Sequence, residues 1–233
     1  MPRTPAQDRE LAAFLSEFVM PERVALIDRV LPSRTRYVTV MLEDIYQSQN
    51  ASAVMRTCDC LGVQDMYIVE NRNEYTVNPW VVRGSDQWVT QYRFNAPQAD
   101  NTSGALSALK TRGYRIVATA LHRDSCPLED FDVRKGPFAL VFGNEREGIS
   151  PAVAAAADEF LEIPMCGFTE SFNISVAAGI CLYTLLRKVR LETDWALDEA
   201  SAASLRVEWL GRTLKSPGDV IARFCRERGY SAE

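Results

Sequence analysis

Histidine is nearly absent from this sequence: 233 residues hold one, His122. The six cysteines (Cys58, Cys60, Cys126, Cys166, Cys181, Cys225) form no CxxC pair. Zinc sites and histidine-based triads are therefore poorly supplied, and no metal is expected. Scattered thiols without a leader read as reduced and cytosolic. The amino-terminal stretch MPRTPAQDRELAAF has no basic segment followed by an apolar one, so it does not read as a signal peptide. No apolar run reaches the length of a membrane span. A cytoplasmic protein away from membranes is the expectation. Also missing are GxxxxGK[ST], a GxGxxG after the first strand, and GxSxG, which argues against a P-loop, an ordinary dinucleotide fold and a serine-hydrolase elbow. Positive charge is in deficit, with 26 Lys and Arg against 31 Asp and Glu, net −5. That balance alone does not favour nucleic acid. The distribution is uneven, however. Residues 38–186 carry 11 basic and 18 acidic side chains, whereas the flanks 1–37 and 187–233 carry 15 basic and 13 acidic.

What is present is an alternation of strands and helices. RELAAFLSEFVM and PERVALIDRVL have helical periodicity, and Pro32 ends the second. TRYVTVML reads as a strand. SQNASAVMRTCDCLG reads as a helix stopped by Gly62, with Asn50 just ahead of it as its N-cap. MYIVE is a strand, and 71–88 is loop-like. NTSGALSALKTRGY is a helix with a Ser or Thr cap, and RIVATAL and PFALVFG are strands. SPAVAAAADEF is a short helix and FLEIPM a strand. SFNISVAAGICLYTLLRKVRL is a long apolar helix; a polar stretch and a last helix, GDVIARFCRERG, follow. This order implies βαβ units and a parallel sheet flanked by helices, with ligands at the carboxyl ends of the strands.

Three segments stand out. One is Asn50-Ala51-Ser52-Ala53-Val54-Met55-Arg56-Thr57-Cys58. The second is Phe142-Gly143-Asn144-Glu145-Arg146-Glu147-Gly148-Ile149-Ser150. The third is Ile163-Pro164-Met165-Cys166-Gly167 followed by Ser171-Phe172-Asn173-Ile174-Ser175-Val176-Ala177-Ala178. In order and spacing they match the three motifs of the SpoU/TrmH family of SPOUT RNA ribose methyltransferases, which the chain resembles over roughly residues 36–190. ATAL (118–121) and GSDQW (84–88) add to the likeness. The resemblance implies the SPOUT (α/β-knot) fold: a parallel sheet flanked by helices with a C-terminal trefoil knot, plus helical N- and C-terminal extensions. It implies a core over 36–191, with extensions 1–35 and 192–233. It also implies a homodimer that uses S-adenosylmethionine to methylate a ribose 2′-hydroxyl of tRNA, with guanosine-18 of the D-loop as the target. Another tRNA position or ribosomal RNA keeps the same chemistry. A non-catalytic RNA-binding module is the rival of another class.

Residue by residue, Arg56 matches the family's catalytic arginine. A guanidinium holds its proton, so alignment of the ribose and stabilisation of alkoxide charge suit it better than base catalysis. The resemblance groups Asn50, Glu145, Ser171 and Asn173 with it as catalytic. It places Thr119, Gly143, Asn144, Ile163, Met165 and Phe172 at the donor. Read without it, Asn50, Ser171 and Asn173 are helix caps, Gly148 is a turn residue with positive φ, and Ile163, Met165 and Phe172 are core. Arg83 stands where relatives usually place a small residue, and Phe172 where leucine is common. For RNA the candidates are the end helices: Arg23, Arg29, Arg34 and Arg36 on one side, and Arg206, Arg212, Lys215, Arg223, Arg226 and Arg228 on the other. His122, the cysteines and the tryptophans gain no site.

Overall fold

The computed structural model describes residues 3–120 and 124–230. Leu121, the last residue of the ATAL segment, and His122 lie outside them. Helices α1 (Pro5–Ser16) and α2 (Pro21–Val30) come first. Then follow β1 (Val38–Glu43), α3 (Ser48–Leu61), β2 (Asp65–Val69), the single turn α4 (Pro79–Val82), β3 (Thr90–Phe94) and α5 (Asn101–Thr111). β4 (Arg115–Thr119), β5 (Cys126–Pro127), β6 (Phe138–Phe142), α6 (Pro151–Ala156), β7 (Glu159–Glu162), α7 (Ile174–Glu192), α8 (Glu199–Arg212) and α9 (Pro217–Arg228) complete the chain. Two compact units result: Thr35–Trp195, and Met1–Arg34 together with Ala196–Glu233.

The first unit is built on a seven-stranded sheet of order β3-β2-β1-β6-β4-β7-β5, with every pairing parallel. β1 and β6 are buried along their whole length, as a parallel sheet covered on both faces requires. The side-chain period of two sorts β1 between two cores. Val38, Val40 and Leu42 join Val54 and Cys58 of α3 and Leu182, Leu185 and Val189 of α7. Met41 joins Ala105 and Leu109 of α5 and Val153 of α6 on the other face. Gly62 ends α3 at φ 83°, a left-handed position that suits glycine. At the amino end of β2, burial pushes the Asp65 carboxyl up. Arg36, 3.1 Å away at Nε, opposes that shift. Arg36, expected at RNA, is thus held by a buried carboxylate.

The second unit gathers the chain's two ends into one small helical bundle, in which α1 packs on α8 and α9, and α2 on α8. α1 opens with a Thr4–Gln7 capping box. Its Leu11 and Leu15 are buried, as are Leu205, Trp209 and Leu210 of α8 and Phe224 of α9. Phe14 meets Phe224 at 5.4 Å between ring centroids. α8 corrects the reading of residues beyond α7 as a polar stretch. Asp198 caps it through Ser201 N–H, and Ala203, Val207 and Leu210 give the helical spacing that its polar residues hid. Arg34 is a second correction. It is only 1% exposed and lies 5.1 Å over the Trp209 ring, so it serves this interior and not a surface phosphate.

Two smaller elements also differ from expectation. Residues 71–88 contain the short α4 and a 3-10 turn at Ser85–Gln87. α5 is capped by Asp100, which accepts from Ser103 N–H, and not by Ser or Thr.

Leu182 fixes α7 to the sheet and is fully buried. Leu182→Ala is expected to cost about 2–5 kcal/mol by equilibrium denaturation. A loss under about 0.5 kcal/mol would contradict this packing.

Candidate active site at the carboxyl ends of the strands

Asn50 lies in the first turn of α3, two residues after Ser48. It is therefore not the N-cap that its position suggested; that place belongs to Gln47. Its amide, 8% exposed, serves another purpose. Nδ2 donates to Glu145 Oε1 at 2.8 Å, and Oδ1 accepts from Asn173 Nδ2 at 3.2 Å. One side chain so joins the three separate segments: the helix after β1, the loop after β6, and the start of α7. Glu145 also accepts from Tyr46 N–H at 2.8 Å and Gln47 N–H at 3.3 Å. Burial alone would push its carboxyl up. The Asn50 amide and these backbone donors outweigh that and hold it below the ordinary range. Asn173 caps α7, accepting from Ser175 N–H at 2.9 Å and Ser175 Oγ–H at 2.6 Å. The cap expected there is present, on Asn173. Ser171 precedes it, exposed and with no side-chain hydrogen bond among the described residues.

The loop after β6 is a closed hairpin. Asn144 N–H donates to Gly148 O at 2.9 Å and Gly148 N–H to Asn144 O at 2.8 Å. The Asn144 side chain is used by the loop itself: Nδ2 donates to Asp44 O at 2.7 Å, and Oδ1 accepts from Arg146 N–H at 2.9 Å. Gly148 has φ 73°, as its turn role requires. A Cβ on Gly143 would stand 2.2 Å from Gly148 C. The glycine at 143 thus admits the chain's own backbone, a role distinct from ligand approach. Asp44 anchors the base of the loop. At φ 52° its carboxylate accepts from the N–H groups of Asn71, Arg72 and Asn73 at 3.1, 2.7 and 2.9 Å. Arg72 then spans Asp44 and Glu147, reaching Glu147 at 2.9 and 2.6 Å. Sequence reasoning missed Asp44 and Arg72, which belong to none of the three segments; an aspartate just past a strand end, facing a later Asn-Arg-Asn, was the available signal.

The remaining positions are less gathered. Thr119 ends β4 half-buried, its Oγ donating to Val141 O at 2.9 Å. Ile163 packs against the core from the partly buried rim, and Met165 is half-buried. Phe172 is 43% exposed, so it is no core residue, and Phe168 is fully exposed. Arg56 is exposed on α3, with no side-chain hydrogen bond or ion pair among the described residues. Six residues beyond Asn50, it stands about 9 Å further along the helix axis and a third of a turn around it. The structure thus brings Asn50, Glu145 and Asn173 together and leaves Arg56 and Ser171 outside their hydrogen bonds. In the second unit Arg23, Arg29 and Arg226 are exposed. Arg223 pairs with Glu227 and lies over Phe14, Arg206 pairs with Asp28, and Arg212 pairs with Glu208.

Residues 37–183 match the SpoU rRNA Methylase family. The chain belongs to that family. It is 42% identical to the tRNA (guanosine(18)-2'-O)-methyltransferase of Borreliella burgdorferi over 87% of this chain and 90% of that protein. The crystal structure of the A. aeolicus TrmH/SpoU tRNA modifying enzyme superposes with a TM-score of 0.72 at 30% identity, covering 83% of this chain and 97% of that one. The SpoU methyltransferase AviRb from Streptomyces viridochromogenes, solved with the cofactor AdoMet, gives 0.57 at 26% identity over 71% of this chain and 62% of that one. As a SpoU methylase, the chain has the parallel sheet flanked by helices expected of it. No helix among the described residues is long and apolar enough to cross a membrane.

Two outcomes test this geometry. Gly143→Ala is expected to force the hairpin open, so the amide protons of Asn144 and Gly148 exchange at least tenfold faster while those of β1 are unchanged. Unaltered exchange would contradict the close approach. The Glu145 tie also sets a pH dependence. Its folded pKa lies below the unfolded one, so its stabilisation is complete above about pH 4.3 and is lost as pH falls through the folded value. The Tm advantage of the wild type over Glu145→Gln is therefore expected to shrink on acidification from pH 7. An advantage that grows would reverse the assignment.

Proposed function

We propose that this chain is an S-adenosylmethionine-dependent methyltransferase acting on a ribose 2′-hydroxyl of tRNA, at guanosine-18 of the D-loop. The observation that carries the reading is the Glu145–Asn50–Asn173 tie at the carboxyl ends of the strands, with an unengaged guanidinium, Arg56, on the same helix. The names of the relatives support tRNA, and their solved AdoMet complexes support the donor. The protein acts as a homodimer in the cytoplasm, and its chain ties a C-terminal trefoil knot through the loops at 143–148 and 163–173.

The residues fit the donor. It is a neutral purine joined to a cationic sulfonium and an amino-acid tail. The sheet edge offers half-buried apolar side chains, Ile163 and Met165, the exposed ring of Phe172, and free backbone across the loop 164–172. Thr119, Gly143 and Asn144 shape the neighbouring strand ends. When bound, the donor supplies its sulfonium methyl carbon to the ribose oxygen. Arg56 orients the ribose through its planar donor fork and stabilises negative charge on the attacking oxygen. It keeps its own proton, so the hydroxyl proton leaves to another acceptor, for which a phosphate oxygen of the RNA has suitable chemistry. Asn50, Glu145 and Asn173 hold the α3 start, the hairpin and the α7 start in register, and Ser171 adds a hydroxyl at the loop edge. The exposed Arg23, Arg29 and Arg226, together with Arg223, contribute phosphate contacts from the helical unit. Methylation of ribosomal RNA is the second reading, favoured by the family's description and by solved relatives named rRNA methyltransferases.

The test is methyl transfer from labelled donor to unmodified tRNA and ribosomal RNA, followed by mapping of the modified ribose. Guanosine-18 of tRNA is the expected position. Arg56→Ala and Arg56→Lys are expected to lower kcat at least a hundredfold while donor affinity by calorimetry stays within threefold. Near-normal turnover in Arg56→Ala would reject the role, and transfer to ribosomal RNA alone would replace the substrate.

A further inference from the structure

Residues 74–87 follow α3 in a specific register. Ser48 Oγ donates to Glu74 O at 3.4 Å and accepts from Thr76 N–H at 3.3 Å. One helical turn later, Ser52 Oγ accepts from Asn78 N–H at 3.1 Å. Ser48, Ser52 and Arg56 are spaced i, i+4, i+8 and form one ridge of the helix. The segment advances along that ridge in the direction of Arg56, and α4 packs on α3. Asn78 caps α4 by accepting from Trp80 N–H at 3.1 Å, and Val82 is buried at its end. Ser85 Oγ donates to Val82 O at 2.8 Å and closes the turn.

On this pinned turn two large side chains remain outside. Trp80 is 84% exposed, the most exposed tryptophan of the described residues. Arg83 is exposed and sits at φ 54°, a left-handed backbone conformation that favours glycine. Among the described residues no salt bridge or side-chain hydrogen bond engages Arg56, Trp80 or Arg83. In a chain of net charge −5, six of the eleven arginines described in this unit have carboxylate partners: Arg36, Arg72, Arg93, Arg112, Arg115 and Arg134. An exposed indole and an uncompensated guanidinium on one short turn, packed on the helix that carries a second, have the chemistry of a nucleotide subsite, with a π-face for a base and cations for sugar and phosphate.

We propose that Trp80 and Arg83 form an RNA subsite for the nucleotide next to the target ribose: Trp80 stacks its base and Arg83 holds its phosphate, beside Arg56. This rests on the ribose-methyltransferase reading above. Trp80 and Arg83 thus bind the substrate directly, and the serine-pinned register holds the segment that leads into them along α3.

The experiment uses the full chain and unmodified tRNA transcript, with methyl transfer measured against tRNA concentration and donor affinity by calorimetry. Trp80→Ala and Arg83→Ala are expected to raise KM for tRNA at least fivefold, with the loss on KM and not on kcat, and with donor Kd within twofold. Trp80→Phe, which keeps an aromatic face, is expected to recover most of the loss. Arg83→Ala is expected to flatten the salt dependence of tRNA binding by about one unit of slope. Unchanged KM for tRNA in both alanine variants would overturn the proposal. So would an equal loss of donor affinity, or a shift of Trp80→Ala to a smaller oligomer, which would make this face a contact between copies. If the wild type binds donor yet methylates no RNA, the ribose-methyltransferase reading fails separately. Tryptophan fluorescence quenching by the same tRNA then decides the subsite: quenching present in wild type and reduced in Trp80→Phe supports it, and equal quenching in both overturns it.

Discussion

The architecture at the strand ends depends on a single amide. A neutral Asn side chain carries an NH2 donor group and a carbonyl acceptor in one small plane. Asn50 spends the donor on a carboxylate from one loop and the acceptor on another asparagine that caps the following long helix. Aspartate there would face Glu145 as a like charge, and leucine would leave the Glu145 carboxylate short of a donor. Asn50 itself is buried while Glu145 and Asn173 are exposed, so the tie is shielded from water on one side.

Around that amide the chain uses backbone economy. Gly143 lets two strands of the hairpin touch, Asn144 fills the turn with its own amide, and Asp44 collects the N–H groups of the next loop. Arg72 then crosses from Asp44 to Glu147 and joins the two loops from outside. The exposed bridge is worth little as stability; its consequence is geometric, since it fixes the loop relative to the end of β1. The result is a rigid rim with chemically unengaged groups, Arg56, Ser171 and Phe172, held at its edge. A rim of this kind is suited to positioning reactants, and positioning can supply a large part of the barrier reduction in a two-substrate transfer.

Much of this was legible before any coordinates. β1, β2, β4 and β6 are dense in β-branched and apolar residues, and α3 and α7 carry clear periodicity, so the parallel α/β frame followed from pattern. The three motif segments carried the family. What escaped was of two kinds. α8 and β3 have weak patterns because each is only partly covered: Thr90–Phe94 alternates without strong burial, and α8 hides its apolar stripe among Ser, Glu and Arg. The second kind is long-range pairing. Nothing local distinguishes Arg34, which stacks on Trp209, from Arg29, which is exposed. Likewise the partnership of Asn50 with Glu145 spans 95 residues, and the spacing of one motif cannot show which atom of another it meets.

If the proposed donor site is one unit, it is the Asn50 amide that couples its three segments. A double-mutant cycle on Asn50→Ala and Glu145→Ala, read as S-adenosylmethionine affinity by calorimetry, tests it most directly. The double variant is expected to bind the donor no more weakly than the worse single variant, because either change breaks the same tie. Fully additive losses, or donor binding indifferent to both, would contradict it.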